Sequence, residues 1–292
     1  MSTKMRIAKY LATQNLCSRR DAERYILKGD VIVNGQQINS PVCFVDDQDI
    51  IIFRGRKVTP VAEQNLWIYY KPVGEITTHY DPQHRMTVFE SVAAQYGLPR
   101  VISVGRLDIN SEGLLLLTNS NALAHDLETQ RAERVYKVRV FGEVDRQMLR
   151  KYAGGESDAG TESGEVTLHN VVISGERYAP VRVQFERNIF KNRYTHFSND
   201  CENLKKTNTY DYSYSAPHSS GRPTAYERNS AHHYGSSARN FWVNITICEG
   251  KNREIRKVMN LLGLQVSRLI RVRYGPYELG QMRTGELRQL TP

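Results

Sequence analysis

The cleanest alternation in the chain falls at 241–248. Phe241, Val243, Ile245 and Ile247 take one side, and Trp242, Asn244 and Thr246 take the other. A period of two predicts a strand with one buried face. Just beyond it the period changes. Ile255, Val258, Met259 and Leu262 recur at helical spacing, with Arg253, Arg256, Lys257 and Asn260 on a second face and Gly263 placed to stop the helix. A helix that starts with exposed N–H donors and carries two arginines on one face suits an anion.

Upstream, between about 64 and 187, short apolar runs alternate with turn signals. That pattern predicts a strand-rich α+β domain, with strands over 66–70, 101–104, 114–118, 135–141, 166–173 and 181–185. The first sixty residues read differently. Ile7 and Leu11 lie one turn apart before the pattern breaks near Asn15. Ser18, with Asp21 three residues on, predicts the cap of a second helix through Ala22 and Ile26 that Gly29 ends. Residues 31–35 read as a strand entering an Asn-Gly turn, and 49–53 as another strand. The division expected is therefore a small domain over 1–60 and a larger one over 61–292.

Periodicity vanishes between 188 and 240, which is rich in Tyr, Ser, Asn and His and contains no Val. Such a segment buries too little apolar surface to offset its ordering entropy, so it reads as a disordered insertion inside the second domain. Its tyrosines and arginines suit stacking on single-stranded RNA, but a tolerated surface loop is the simpler reading. His232-His233 has no partners that would make it a metal site.

Composition narrows the partner. Forty Lys and Arg against 31 Asp and Glu give a formal charge of +9, which points to an anionic partner, most often nucleic acid. Arg19, Arg20, Arg24 and Lys28 decorate the second N-terminal helix, which would lay a basic face on phosphates. The longest apolar run, 114–117, falls far below the roughly 18–20 residues of a membrane helix. The N-terminus lacks the apolar core of a secretory signal. Cys17, Cys43, Cys201 and Cys248 form no CxxC pair, which argues against a zinc site or disulfide framework and for a reducing cytoplasm.

The candidate chemistry sits in Gly105-Arg106-Leu107-Asp108-Ile109-Asn110-Ser111-Glu112-Gly113, ahead of the apolar run. A loop between two apolar strands would hold one carboxylate rigidly. Asp108 then reads either as a nucleophile or base kept ionised by an arginine, or as an aspartate capping a turn. Glu112 is a second carboxylate, but its separation from Asp108 is not fixed by spacing. No P-loop, dinucleotide fingerprint or nucleophile elbow is present.

These stretches resemble one family. Ser18-Arg19-Arg20-Asp21-Ala22-Glu23 followed by 29–35 is similar to the S4 pattern. Lys71-Pro72-Val73-Gly74, the 105–119 stretch, Glu133-Arg134-Val135-Tyr136-Lys137-Val138 and 249–258 resemble, in order, the motifs of bacterial ribosomal RNA pseudouridine synthases of the RsuA type. Arg268-Leu269-Ile270-Arg271 and Gly275 continue that pattern, while Glu75 departs from it where an apolar residue is common. Within the family the sequence is more similar to the B-type enzymes of the large ribosomal subunit than to the enzyme of the small one.

The resemblance implies an α+β catalytic domain with a mixed, mainly antiparallel sheet behind an S4-like domain. It implies conversion of a uridine, in 23S rather than 16S ribosomal RNA, without cofactor or metal. Asp108 would act on the flipped nucleotide, either by addition or as a base. Tyr136 would stack on the base, and Arg256 would pair with Asp108. Arg106, Arg253 and Lys257 would hold RNA, and Leu115 and Ile255 would wall the pocket. The protein expected is a cytoplasmic monomer acting on ribosomal RNA or an assembly intermediate. The rival readings are a 16S enzyme and a noncatalytic ribosomal RNA-binding assembly factor.

Overall fold

The computed structural model describes residues 4–59, 63–154, 164–185 and 238–290. The segment read as an insertion lies outside them up to 237. Arg239 and Asn240, assigned to it from sequence, instead begin a strand and pair with Gly142 and Phe141.

The N-terminal unit runs β1 (Met5–Arg6), α1 (Ile7–Thr13), α2 (Arg19–Leu27), β2 (Val31–Val33), β3 (Gln36–Gln37), β4 (Phe44–Val45), β5 (Ile51–Phe53) and β6 (Arg56–Lys57). Ser18 caps α2 by accepting the Asp21 N–H at 3.1 Å. Asn34 and Gly35 both adopt positive φ, 50° and 81°, which closes the β2–β3 hairpin. Ile7, Leu11, Ala22 and Ile26 meet Val31, Val45 and Ile51 in one small core.

The larger unit runs β7 (Leu66–Lys71), α3 (Val88–Tyr96), β8 (Ile102–Ser103), β9 (Glu112–Thr118), α4 (Asn121–Thr129), β10 (Arg134–Gly142), α5 (Arg146–Ala153), β11 (Glu165–Leu168), β12 (Val172–Ile173), β13 (Glu176–Arg177), β14 (Val181–Phe185), β15 (Arg239–Ile247), α6 (Glu254–Leu261), β16 (Leu264–Tyr274), β17 (Tyr277–Glu278) and β18 (Leu287–Leu290). Ten of these strands form one sheet in the order β11-β14-β15-β10-β16-β9-β7-β18, with β17 on β16 and β8 on β9. All pairings are antiparallel except β16 with β9. This is the mixed, mainly antiparallel sheet expected. The strand expected over 166–173 is instead two, because β11 pairs with β14 while β12 turns away to form a hairpin with β13.

Strand β9 explains its own unbroken apolar run. Leu115 and Leu117 enter a core on one face of the sheet, while Leu114 and Leu116 enter a second core on the other. Both faces are covered, so alternation with polar residues is not required. α3 and α6 close the first core with Val88, Val92, Ile255, Val258 and Met259; Ala124 and Leu127 of α4 close the second. β10 and β15 keep the alternating pattern: Tyr136, Val138 and Val140 are buried in the first core and Lys137 and Arg139 exposed, while on the other face Trp242 of β15 is partly buried against the second core.

The parallel β16–β9 contact is tight. Gly113 faces Arg271 at φ 105°, and a Cβ there would lie 2.3 Å from the Arg271 carbonyl oxygen. Only glycine admits that approach and that φ. The two units also touch. Asn121 of α4 donates to the Ala12 carbonyl at 2.7 Å, and the Asn15 side chain donates to the Arg100 carbonyl.

Candidate active-site cleft

Asp108 sits in the loop that links β8 to β9, at the C-terminal side of one sheet strand and the start of the next. The loop is held at several points. Ser111 N–H bonds the Asp108 carbonyl at 3.0 Å, and Gly74 N–H bonds the Ile109 carbonyl at 2.9 Å. The buried Thr77 hydroxyl donates to the Leu107 carbonyl at 3.0 Å. The Asp108 carboxylate is left exposed on a cleft of about 930 Å³.

Tyr136 and Arg256 line the same cleft, from β10 and α6. The fold therefore brings together three residues separated by as many as 148 positions (256 − 108). Tyr136 is buried because its side of β10 faces the first core, and its ring forms part of the cleft floor beside Arg271, its partner in register on β16.

Arg256 corrects one expectation. It forms no ion pair with Asp108. Its guanidinium donates to the Asn110 carbonyl at 2.9 Å and to the Val266 carbonyl at 3.1 Å. It thus clamps the Asp108 loop through the backbone two residues on. Burial lowers the Arg256 pKa, as does Arg253 nearby, while the Asp108 charge works in the opposite direction. Asp108 is therefore within electrostatic reach of Arg256 without touching it.

Arg106 and Arg253 are exposed on the cleft. Arg253 adopts φ 52° at the start of α6, a left-handed conformation uncommon outside glycine and frequent at functional sites. Lys257, expected on the RNA, is turned away from the cleft: its ammonium donates to Glu176 at 3.1 Å and to the Tyr178 hydroxyl at 3.0 Å. Helical periodicity placed it on the same side as Arg253 and Arg256, but α6 packs beside the β12–β13 hairpin, which takes this cation. Of the two expected walls, Ile255 lines the cleft and Leu115 lies in the core beneath. On the N-terminal unit Arg19, Arg20, Arg24 and Lys28 are all exposed, with Arg24 paired to Asp21.

Several further residues support the site in ways that the sequence reading does not assign. Lys71 is fully buried and donates to the Pro72 carbonyl at 2.8 Å and the Ser111 carbonyl at 2.9 Å. Burial pushes its pKa down to about 8, while the Glu75, Asp108 and Glu112 carboxylates work to raise it. Glu112 is buried and is the partner of the exposed Arg268, at 2.6 and 3.0 Å, so this second carboxylate is committed to a bidentate ion pair. Glu75, which departs from the family pattern, is buried but satisfied: Tyr69 donates at 3.0 Å and Ser91 at 2.6 Å. Glu254 is buried beside the cleft, and burial pushes its pKa up to about 7. Arg271 is buried on the floor and donates to the Leu114 carbonyl at 2.7 Å. The arrangement supplies two exposed carboxylates, of which Glu128 is taken up by the Gly105 N–H at 2.6 Å and Asp108 faces the cleft, together with an aromatic floor and a cationic rim, which suits chemistry on a nucleotide held by its phosphates.

The model of the RNA pseudouridylate synthase family matches residues 65–261, and the S4 domain model matches residues 5–51. The chain therefore belongs to the RNA pseudouridylate synthase family, and its N-terminal unit is an S4 domain; it is an isomerase. An uncharacterized RNA pseudouridine synthase of Rickettsia typhi is 35% identical over 98% of this chain and 91% of its own length. Proteins named ribosomal large subunit pseudouridine synthase B are also similar. That of Salmonella typhi is 32% identical over 94% of this chain and 75% of its own, and that of Yersinia pestis 30% identical over 94% and 68%. A crystal structure of a pseudouridylate synthase shares the fold, with a TM-score of 0.52 at 20% identity over 98% of this chain and 96% of that one.

Proposed function

We propose that this protein converts one uridine of ribosomal RNA, in the 23S molecule, to pseudouridine, with Asp108 as the catalytic carboxylate. The observation that carries the reading is the placement of Asp108, Tyr136 and Arg256 on one cleft, with Asp108 exposed and its loop held from below. The similarity to enzymes named for the large ribosomal subunit supports the choice of 23S RNA.

In this reading the S4 domain holds structured RNA through phosphate contacts from Arg19, Arg20, Arg24 and Lys28, and a target uridine leaves its stack to enter the cleft. Asp108 acts on that nucleotide as the bond from C1′ to N1 breaks. The uracil turns over Tyr136, and the bond from C1′ to C5 forms. C5 loses its proton and N1 gains one, so atoms balance without any co-reactant. Arg256 is a positioning residue, acting through the Asn110 carbonyl. Arg106 and Arg253 hold phosphates at the rim. The protein works in the cytoplasm, as a monomer, on ribosomal RNA or an assembly intermediate.

The test is tritium release from ribosomal RNA carrying 5-tritiated uridine, with wild type and Asp108→Asn side by side on 23S and 16S substrates. Release by wild type from 23S RNA, abolished in the variant, is expected. Release from 16S RNA alone would move the target to the small ribosomal subunit. Tight, salt-dependent binding of both without release would mark a noncatalytic binder.

A further inference from the structure

The segment from Ile76 to Met86 borders the cleft. Ile76, Thr77 and Arg85 line the cleft. Thr77 ties the segment to the Asp108 loop through Leu107, and Ile76 N–H bonds the Met86 carbonyl at 3.1 Å. At its other side, His79 stacks on Phe89 with centroids 3.7 Å apart and rings 9° from parallel. The charges of Arg100 and Asp21 act on that imidazole. Asp21 belongs to the capping turn of α2, and the Arg100 carbonyl accepts from the Asn15 side chain. The segment thus bonds the Asp108 loop at one side and lies within electrostatic reach of the basic helix of the S4 domain at the other.

At its tip stands Tyr80, 74% exposed, the most exposed large hydrophobic side chain of the described residues. Its hydroxyl has no hydrogen-bond partner among them. Yet its backbone is fixed. The Thr78 hydroxyl donates to the Tyr80 carbonyl at 3.0 Å. Immediately beyond, Arg85 grips Asp81 with two side-chain bonds of 2.9 and 2.8 Å and a backbone N–H at 2.9 Å. His84 N–H closes on the Asp81 carbonyl at 3.0 Å. An aromatic ring is therefore held out to solvent on a braced loop at a set offset from Asp108. Both units expose cations: Arg19 and Arg20 on the S4 helix, and Arg106 and Arg253 on the cleft.

We propose that Tyr80 is a nucleotide-stacking residue, on which an unpaired base flanking the target uridine lies when ribosomal RNA bridges the S4 helix and the cleft. The inference rests on the function proposed above and adds a residue that selects for unpaired RNA beside the target. The chemistry is that of other single-stranded RNA contacts: every base has a π face, and an exposed aromatic ring on a cationic protein receives it. Because the loop is already ordered, little conformational freedom is lost when the base arrives.

The experiment compares Tyr80→Ala and Tyr80→Phe with wild type, using filter binding and steady-state tritium release on transcribed 23S ribosomal RNA. Tyr80→Ala is expected to weaken binding about 5- to 100-fold, with the loss falling on KM rather than kcat. Tyr80→Phe, which keeps the ring, is expected to stay within about twofold of wild type. The salt slope of binding should be the same in all three, since no phosphate contact is removed, whereas Arg19→Ala should reduce it. Wild-type affinity in Tyr80→Ala overturns the proposal, as does equal loss in Tyr80→Phe, which would mean a hydroxyl contact. Failure of the underlying function is read separately: wild type would then bind the transcript without releasing tritium, and the binding comparison would still report on Tyr80.

Discussion

The Thr77 hydroxyl donates to the Leu107 carbonyl at 3.0 Å, and the Leu107 N–H returns to the same oxygen at 3.4 Å. Leu107 precedes Asp108, so a buried side chain thirty positions upstream fixes the peptide that aims the carboxylate. Thr77→Val keeps the shape and leaves two buried backbone groups unpaired, at a cost of about 1–3 kcal/mol. With Asp108 as the proposed catalytic carboxylate, we expect kcat to fall roughly 10- to 100-fold with little change in KM, because a small displacement of a reacting group is costly. Thr77→Ser should restore most of the rate. Equal kinetics for Val and wild type in single-turnover assays would refute the role.

Arg256→Lys tests the clamp on the same loop. A lysine retains the charge but cannot reach the Asn110 and Val266 carbonyls with a planar fork. The expected outcome is a drop in kcat of about tenfold or more. A lysine variant as fast as wild type would show that charge alone suffices.

Lys71→Met removes a fully buried ammonium and strands the Pro72 and Ser111 carbonyls. Loss of two charge-assisted bonds is expected to outweigh the relief of burying a cation, with net destabilisation of about 2–4 kcal/mol. Urea unfolding followed by tyrosine and tryptophan fluorescence would measure it. A variant as stable as wild type would mean that the desolvation cost had cancelled both bonds.

Glu254 gives a pH signature. Burial raises its pKa in the folded protein to about 7 from the ordinary value of 4.5. The folded chain therefore holds a proton between those values that the unfolded chain has released. This contribution is fully present below pH 4.5 and is lost as pH rises through 7. Glu254→Gln should match wild type near pH 5 and exceed it at pH 8 by on the order of 2 kcal/mol, since glutamine can still accept the Lys251 N–H. Melting temperatures across about pH 5–8.5 decide the point, and parallel curves would exclude it.

Gly113→Ala would force a Cβ to within 2.3 Å of the Arg271 carbonyl oxygen at φ 105°. Separation of β9 from β16 should cost at least about 3 kcal/mol. The same change at Gly35, where a Cβ meets nothing within 4 Å, should cost less. Chemical denaturation of the two variants would rank them.

Local signals carried much of the fold. The Ser18 cap, the Asn34-Gly35 hairpin, the β15 alternation and the α6 period each depend on neighbours a few residues away, and each is found in the structure. α3 was missed although Thr87 and Glu90 form a capping box that names its start. β16, eleven residues long, was not predicted as a strand. It carries bulges against β10, buries arginine at Arg271 and pairs in parallel with β9, so its side chains do not alternate simply. The presence of Asp108, Tyr136 and Arg256 was legible from their motifs. What Arg256 and Lys257 touch was not. Adjacent in sequence and alike in charge, one reaches across the cleft to the Asn110 carbonyl and the other to Glu176 on a hairpin 81 residues away. Sequence settles residue types, caps and periods because these act over one or two turns of chain. Partners for a long cationic side chain depend on which distant strand is brought alongside, and only the packed sheet decides that.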